Sequence, residues 1–287
     1  MSHKDLFKDL VNEIISLMES DDLNWSKPFR SVKHQNPVSG SIYRGINPFI
    51  LALKAYREGW DEPYWLTFNQ AKKLGLKIKK GATTTPVFFY SLVEKEDEKT
   101  GEKNTFPVFK SYRVFNIQQM DGVVHKLPKK VELIGSLKVG YCRPVVDAFI
   151  DNTGADIITS DKAAYSPIRD KVMMPAPGLF HSEESYYATL LHEIAHWTGH
   201  KSRLNRDGIT DHSAVFGSEK YAFEELIAEL SAVFLCSHLG VEKGGVDQNH
   251  AAYIKHWIKG LKEDPMSLWK AAAKAQAVFD YLCEQQK

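Results

Sequence analysis

The chain has 287 residues, 43% of them hydrophobic and 25% charged, with a formal net charge of +1. That size fits one large domain or two ordinary ones and supports a core without disulfide staples. The near-neutral balance excludes a global electrostatic field for nucleic acid, so any basic footprint is local; three widely spaced cysteines, Cys142, Cys236 and Cys283, exclude a disulfide framework and a Cys-type zinc site.

In chain order, the first twenty residues place Leu6, Leu10, Val11, Ile14, Ile15 and Leu17 at helical spacing, broken by acids. They read as an amphipathic helix and not as a signal peptide. No apolar run approaches the ~18 residues a membrane span needs, so a cytoplasmic protein without membrane contact is expected. A turn-rich stretch follows, with strand character at Ser41–Arg44. Asn47 before Pro48 reads as the N-cap of a helix to about Arg57, stopped by Gly59. WLTFNQAKKLGLKI reads as a second helix, capped by Thr67 and closed by Gly75, with Trp65, Phe68 and Leu74 in its buried stripe. Residues 86–90 and 106–115 read as paired strands, with EKEDEKTGEK as a solvated hairpin tip. YCRPVVDAFIDNTG starts a helix, and AAYSPIRDKVMMPAP reads as a hairpin turning at Asp170. Two long helices follow, SEESYYATLLHEIAHWTGH with Ser182 as its cap, and SEKYAFEELIAELSAVFLCSHLG ended by Gly240. Helices near 248–262 and 265–284 close the chain. The expected architecture is α+β in two domains: residues 1–125, a connection at 126–139, and a mainly helical domain with a small edge sheet at 140–287.

His192 and His196, four apart on a helix, present ring nitrogens on one face and suit one metal ion. Glu193 sits beside that ion, where a carboxylate takes a proton from metal-bound water. HxxxH also occurs in buried helices that bind nothing. A zinc site with catalytic work needs a third protein ligand and an open fourth position. His200 does not supply it, because the longer HExxHxxGxxH pattern requires a histidine where Ser202 stands. The later helix is the better source. Glu225 and Glu229 share a face within an apolar surround, and buried carboxylates need a cation or hydrogen-bond donors. Either could ligate the metal or accept from a ligand histidine; ordinary surface acids are the alternative for Glu224, Glu225 and Glu229. Zinc is the favoured ion, with manganese, nickel and cobalt fitting similar donors.

From Trp25 to Tyr90 there are eleven Lys and Arg against three acids, interleaved with Trp25, Phe29, Tyr43, Phe49, Tyr56, Trp60, Tyr64, Trp65 and Phe68. Aromatic faces stack unpaired bases and cations track phosphates, so this density points to single-stranded DNA, although each aromatic taken alone is more often core. Tyr43 and Arg44, between Gly40 and Gly45, are the expected contacts. Period two turns Tyr43 opposite Ile42, and tyrosine tolerates exposure better. Lys77, Lys79 and Lys80 are expected to add charge.

NWSKPF, YRGIN, WLTFNQAKKLG and KIKKG, in that order, resemble the N-terminal domain of ArdC-type antirestriction proteins. YYATLLHEIAHWTGH and YAFEELIAEL resemble the metallopeptidase domain of the same family, and the resemblance covers nearly the whole chain. It implies a protein of a mobile element that binds single-stranded DNA without sequence preference and shields it from host restriction, with a zinc peptidase-like site whose peptide or protein substrate is open. The acidic hairpin tip departs from DNA-contacting character. The second helix pair is similar to the gluzincins, in which HExxH is followed by ExxxD or a close variant. That similarity implies Glu225 as third ligand and Glu229 as the group orienting a histidine, with the two roles exchangeable; Tyr221 is a candidate to face the oxyanion. Two other functions stay open: a DNA-binding antirestriction protein with a structural or vestigial metal site, and a stand-alone zinc protease whose basic domain recruits its substrate.

Overall fold

The computed structural model describes residues 2–19, 33–96, 103–122, 143–211, 213–215, 217–241 and 250–287. Trp25, Lys27, Phe29 and Arg30, the hairpin tip at 97–102, the connection at 126–139, Cys142 and the expected helix start near 248 lie outside the described residues.

The first half combines α1 (His3–Glu19), α2 (Asn47–Glu58), β1 (Trp65–Thr67), α3 (Phe68–Lys73), β2 (Lys77–Ile78), β3 (Thr85–Glu96), β4 (Lys103–Asn116) and β5 (Met120–Asp121). Strands β1, β4 and β3 form an antiparallel sheet in that order, and β2 pairs with β5. The register opposes Val87 to Tyr112 and Phe88 to Ser111, so side chains alternate between two faces. On one face Val87 and Val114 pack with Tyr43, Leu51 and Trp65. On the other, Phe88 stacks on Phe109 and meets Phe7 of α1 edge-on.

The second half holds α4 (Arg143–Thr153), β6 (Asp156–Thr159), β7 (Ala164–Ser166), β8 (Lys171–Met174), α5 (Glu183–Trp197), α6 (Asp207–Thr210), α7 (Glu219–Leu239), α8 (His250–Glu263) and α9 (Met266–Glu284). Strand β8 lies between β6, which is parallel to it, and antiparallel β7. Ser182 and Ser218 cap α5 and α7 through their hydroxyls, and Gly240 ends α7 in the left-handed conformation. Helix α7 is buried almost continuously from Glu224 to Cys236 and packs on α5, α6, α8 and α9. A helix apolar on all sides is a core helix, which makes its glutamates the exceptions that need explaining.

Several local expectations are corrected. Asn47 does not cap α2. Ile46 holds the cap position without a side-chain bond, and the Asn47 carboxamide instead donates to Phe88 O and accepts from Phe88 N, both at 2.7 Å. The reason is that β3 is an edge strand: buried backbone groups there need partners, and Asn47 supplies both. Trp65 and Leu66 are strand residues ahead of a six-residue helix, with Thr67 and Gln70 closing a capping box. Phe68 is 59% exposed, outside any buried stripe. Ser41–Arg44 forms only an isolated bridge, Ile42 to Gln35.

Candidate metal centre and basic face

Helix α5 presents His192 and His196 one turn apart, and α7 lies against it. Three donor atoms converge between them. His192 Nε2 and His196 Nε2 are 3.1 Å apart, and Glu225 reaches the first through Oε2 at 3.5 Å and the second through Oε1 at 3.4 Å. One donor atom from each of the three residues lies within 4.8 Å of the others, close enough for all three to turn onto one ion. Charge points the same way. Among the described residues the buried charged side chains are Glu193, Glu224, Glu225, Glu229 and Arg206. All four carboxylates belong to α5 or α7, and those of α7 face the Arg206 guanidinium and, when no metal is bound, the protonated rings of His192 and His196. Buried carboxylates need counter-charge, and a divalent cation at the His192–His196–Glu225 focus, the one such cluster among the described residues, would take the place of the two ring protons.

The outer nitrogens of both rings face carboxylates. His192 Nδ1 lies 3.4 Å from Glu229 Oε1, and His196 Nδ1 lies 3.3 Å from Glu224 Oε1. With the protons on Nδ1, both Nε2 lone pairs point at the focus. Burial alone would lower the His196 pKa, but Glu225 and Glu224 together outweigh it and push it up to about 9. The same contest, with Glu225 and Glu229 prevailing over burial, raises His192 well above its ordinary value. Burial raises Glu225, yet the two histidines hold it well below the usual carboxylate range. Glu193 is buried beside this group, and its charge also favours a protonated His192.

Glu224 and Arg206 are the site residues that sequence reasoning missed. Arg206 donates from Nε to both Glu224 oxygens at 3.1 and 3.0 Å, and from Nη2 to Oε1 at 2.5 Å. Its remaining donors reach Thr198 Oγ1 and Ala195 O, each at 2.7 Å. This buried fork fixes the carboxylate that faces His196 and ties it to the end of α5. Two glycines make room for it. A Cβ on Gly208 would stand 2.4 Å from Glu224 Cβ, and one on Gly199 would stand 2.6 Å from Ile209. The available sequence signals were a second glutamate beside Glu225 on an apolar helix and the paired glycines; nothing marked Arg206. Nearby, Arg203 lies 3.8 Å over the Trp197 ring and bonds Asp170 and Tyr165, pinning the β7–β8 turn to the end of α5. Tyr221 is half-buried one turn before Glu225.

The expected DNA contacts are not all at the surface. Tyr43 is 8% exposed and Ile42 is 53% exposed, the reverse of the expected facing. The aromatic ring completes the core over Val87 and Trp65, which outweighs tyrosine's tolerance of water. Arg44 pairs with Asp280 of α9 at 2.5 Å. Lys79 donates to Gln118 O at 2.9 Å, and Lys77 and Lys80 are exposed. Lys77, Lys79 and Lys80 thus lie together on β2 and the turn after it, while Arg44 is engaged with α9. No described helix is long and apolar enough to cross a membrane.

Comparison with known proteins places both halves. The family model for the N-terminal domain of anti-restriction factor ArdC matches residues 4–115, and that for a zincin-like metallopeptidase, MPTase-PolyVal, matches residues 144–274. Crystal structures of the antirestriction protein ArdC from the R388 plasmid superpose with TM-scores of 0.79 (metal-free, 40% identity) and 0.78 (Mn(II)-bound, 37% identity). Each alignment covers 98% of both chains. The uncharacterized protein y4eC of Sinorhizobium fredii is 30% identical over 295 residues, covering 98% of this chain and 92% of that one. A DNA primase TraC of Escherichia coli is 33% identical over 303 residues, which is 97% of this chain but 27% of the primase. The chain thus spans about a quarter of that relative.

Proposed function

Since the chain belongs to the ArdC family of antirestriction proteins, with that family's N-terminal domain followed by a zincin-like domain, we propose that it serves a mobile element by binding single-stranded DNA without sequence preference and by hydrolysing a peptide bond at a divalent-metal centre. Its place of action is then the cytoplasm of the cell receiving the element. The observation that carries the catalytic half is the convergence of His192, His196 and Glu225 beside Glu193. A divalent ion held by those three residues would supply Lewis acidity to a water and to the scissile carbonyl. Zinc is the favoured ion; the Mn(II)-bound relative supports a divalent ion without selecting zinc.

The chain's own groups divide the remaining work. Glu193, outside the ligand set, takes the proton of the attacking water and returns it to the departing amine. Glu224 and Glu229 hold the two rings by their Nδ1 protons. The substrate is an unidentified peptide or protein.

The test is metal analysis of the purified chain with hydrolysis and DNA binding measured in parallel. His192→Ala and Glu225→Ala should lose the ion. Glu229→Ala should bind it about 10–100-fold more weakly, and Glu193→Gln should keep it while losing hydrolysis. Metal loss in Glu193→Gln would falsify the role given to that residue. Glu229→Ala losing metal more completely than Glu225→Ala would exchange ligand and orienting group.

A further inference from the structure

Strands β3 and β4 run for 12 and 14 residues, against three for β1. The face that buries Val87 and Val114 near the short strand therefore continues along the ribbon past its cover. There the register places Tyr112 opposite Val87 and Lys110 opposite Phe89, so all four share one face. Val87 is buried, but Phe89 is 44% exposed, Tyr112 is 49% exposed, and Lys110, opposite Phe89 on the same face, is exposed. The two rings touch edge to face, with centroids 5.3 Å apart and planes at 77°. Single exposed apolar side chains are ordinary. Two large rings fixed against each other on an open sheet, beside a cation, are not explained by the core. Arg113, exposed on the neighbouring stretch of β4, donates to Thr84 at 3.2 Å. No carboxylate pairs with Lys110 or Arg113 among the described residues.

We propose that Phe89 and Tyr112 form the base-stacking platform for single-stranded DNA, with Lys110 contacting an adjacent phosphate. The inference rests on the single-stranded DNA reading above and assigns it a surface in place of the buried Tyr43. Mutual contact holds both rings in fixed orientations, so little side-chain freedom is lost when a base docks. Stacking demands unpaired bases, which selects a single strand over a duplex, and it tolerates any base.

The experiment measures anisotropy of a fluorescein-labelled oligo-dT with the full chain across a KCl series. Phe89→Ala and Tyr112→Ala should each weaken binding by about five- to a hundredfold, with the salt slope unchanged and the melting temperature near that of the parent. Tyr112→Phe should restore affinity. Lys110→Ala should flatten the slope by about 0.7. Parent-like affinity in the double Phe89→Ala/Tyr112→Ala variant overturns the platform while leaving DNA binding by the chain intact. Failure of the unsubstituted chain to bind oligo-dT overturns the single-stranded DNA reading itself. Light scattering that shows a dimer abolished by the same substitutions, with DNA affinity retained, assigns the face to self-association and overturns the inference.

Discussion

Replacing Arg206 by methionine isolates the energetics of the outer support of the candidate metal centre. Arg206 and Glu224 are both buried, and the guanidinium makes three hydrogen bonds to the carboxylate and two more to the end of α5. Methionine fills comparable apolar volume but leaves Glu224 with His196 as its neighbour at 3.3 Å. Removing one partner of a buried ion pair costs about 3–5 kcal/mol where the remaining charge is uncompensated, and the protonated His196 ring beside Glu224 sets the loss toward the low end of that range. That is a large share of a typical domain stability of about 5–15 kcal/mol. Urea denaturation of the metal-free protein should therefore show a markedly lower midpoint for Arg206→Met. The double variant Arg206→Met/Glu224→Met removes both charges and should recover to within about 2 kcal/mol of the parent, since buried pairs contribute little net stability. Metal affinity should separate from stability at that point. Without Glu224 the His196 ring loses the acceptor that fixes its tautomer, so zinc measured by chelator competition should bind about 10–100-fold more weakly in the double variant. Parent-like zinc affinity in the double variant would show that Glu224 does not orient His196. An unchanged urea midpoint in Arg206→Met would refute the charge argument.

Three further substitutions probe the rest of the frame. Gly208→Ala forces a Cβ to within 2.4 Å of Glu224 Cβ and should destabilise by about 1–3 kcal/mol, seen as a lower denaturation midpoint together with weaker zinc binding. Tyr43→Ala should cost about 3 kcal/mol as a buried aromatic truncation, while the fraction that remains folded binds oligo-dT like the parent. His34 is buried, accepts from Trp65 Nε1 at 3.0 Å, and is pushed by burial down to about 3. The unfolded chain protonates this ring below pH ~6.5 and the folded chain does not, so its contribution is complete above that pH and falls as pH drops toward 3. At about 1.4 kcal/mol per unit beyond the midpoint, roughly 2 kcal/mol is lost between pH 7 and pH 5. His34→Asn should flatten that part of a stability-versus-pH curve, and an unaltered curve would contradict the burial argument.

Helix α5 was legible because its signals are local: a serine cap, two histidines at helical spacing and an adjacent glutamate. Helix α7 was legible as a buried element because its apolar residues surround the axis, which also marked Glu225 and Glu229 as anomalous. What escaped depended on contacts distant in sequence. Arg206 sits in a loop with no periodicity, and only the fold brings it 18 positions forward onto Glu224. Asn47 before Pro48 has the local signature of a cap, but the unpaired edge of β3, 41 positions away, claims its amide. At Ile42-Tyr43 the period-two alternation was sound and the choice of side was reversed. Polarity favoured exposing tyrosine, yet the space over Val87 and Trp65 suits an aromatic ring.

The two family domains are also less separable than the sequence suggested. Trp269 of α9 meets both Phe7 of α1 and Phe109 of β4 edge-on, at 5.8 Å and 5.0 Å. One cluster of buried side chains joins Phe7, Val11 and Ile14 to Leu191, Leu230 and Leu268. Arg44 and Gly45 of the first half are bonded to Asp280 and Gln276 of α9. A chain cut at the connection would therefore expose the apolar stripe of α1 and one face of α9 to water, at about 25 cal/mol for each Å² uncovered. Because α9 also packs against α7, the sheet proposed to hold DNA and the helix that carries Glu224, Glu225 and Glu229 rest on the same core. Measurements on the intact chain are the ones that report on either site.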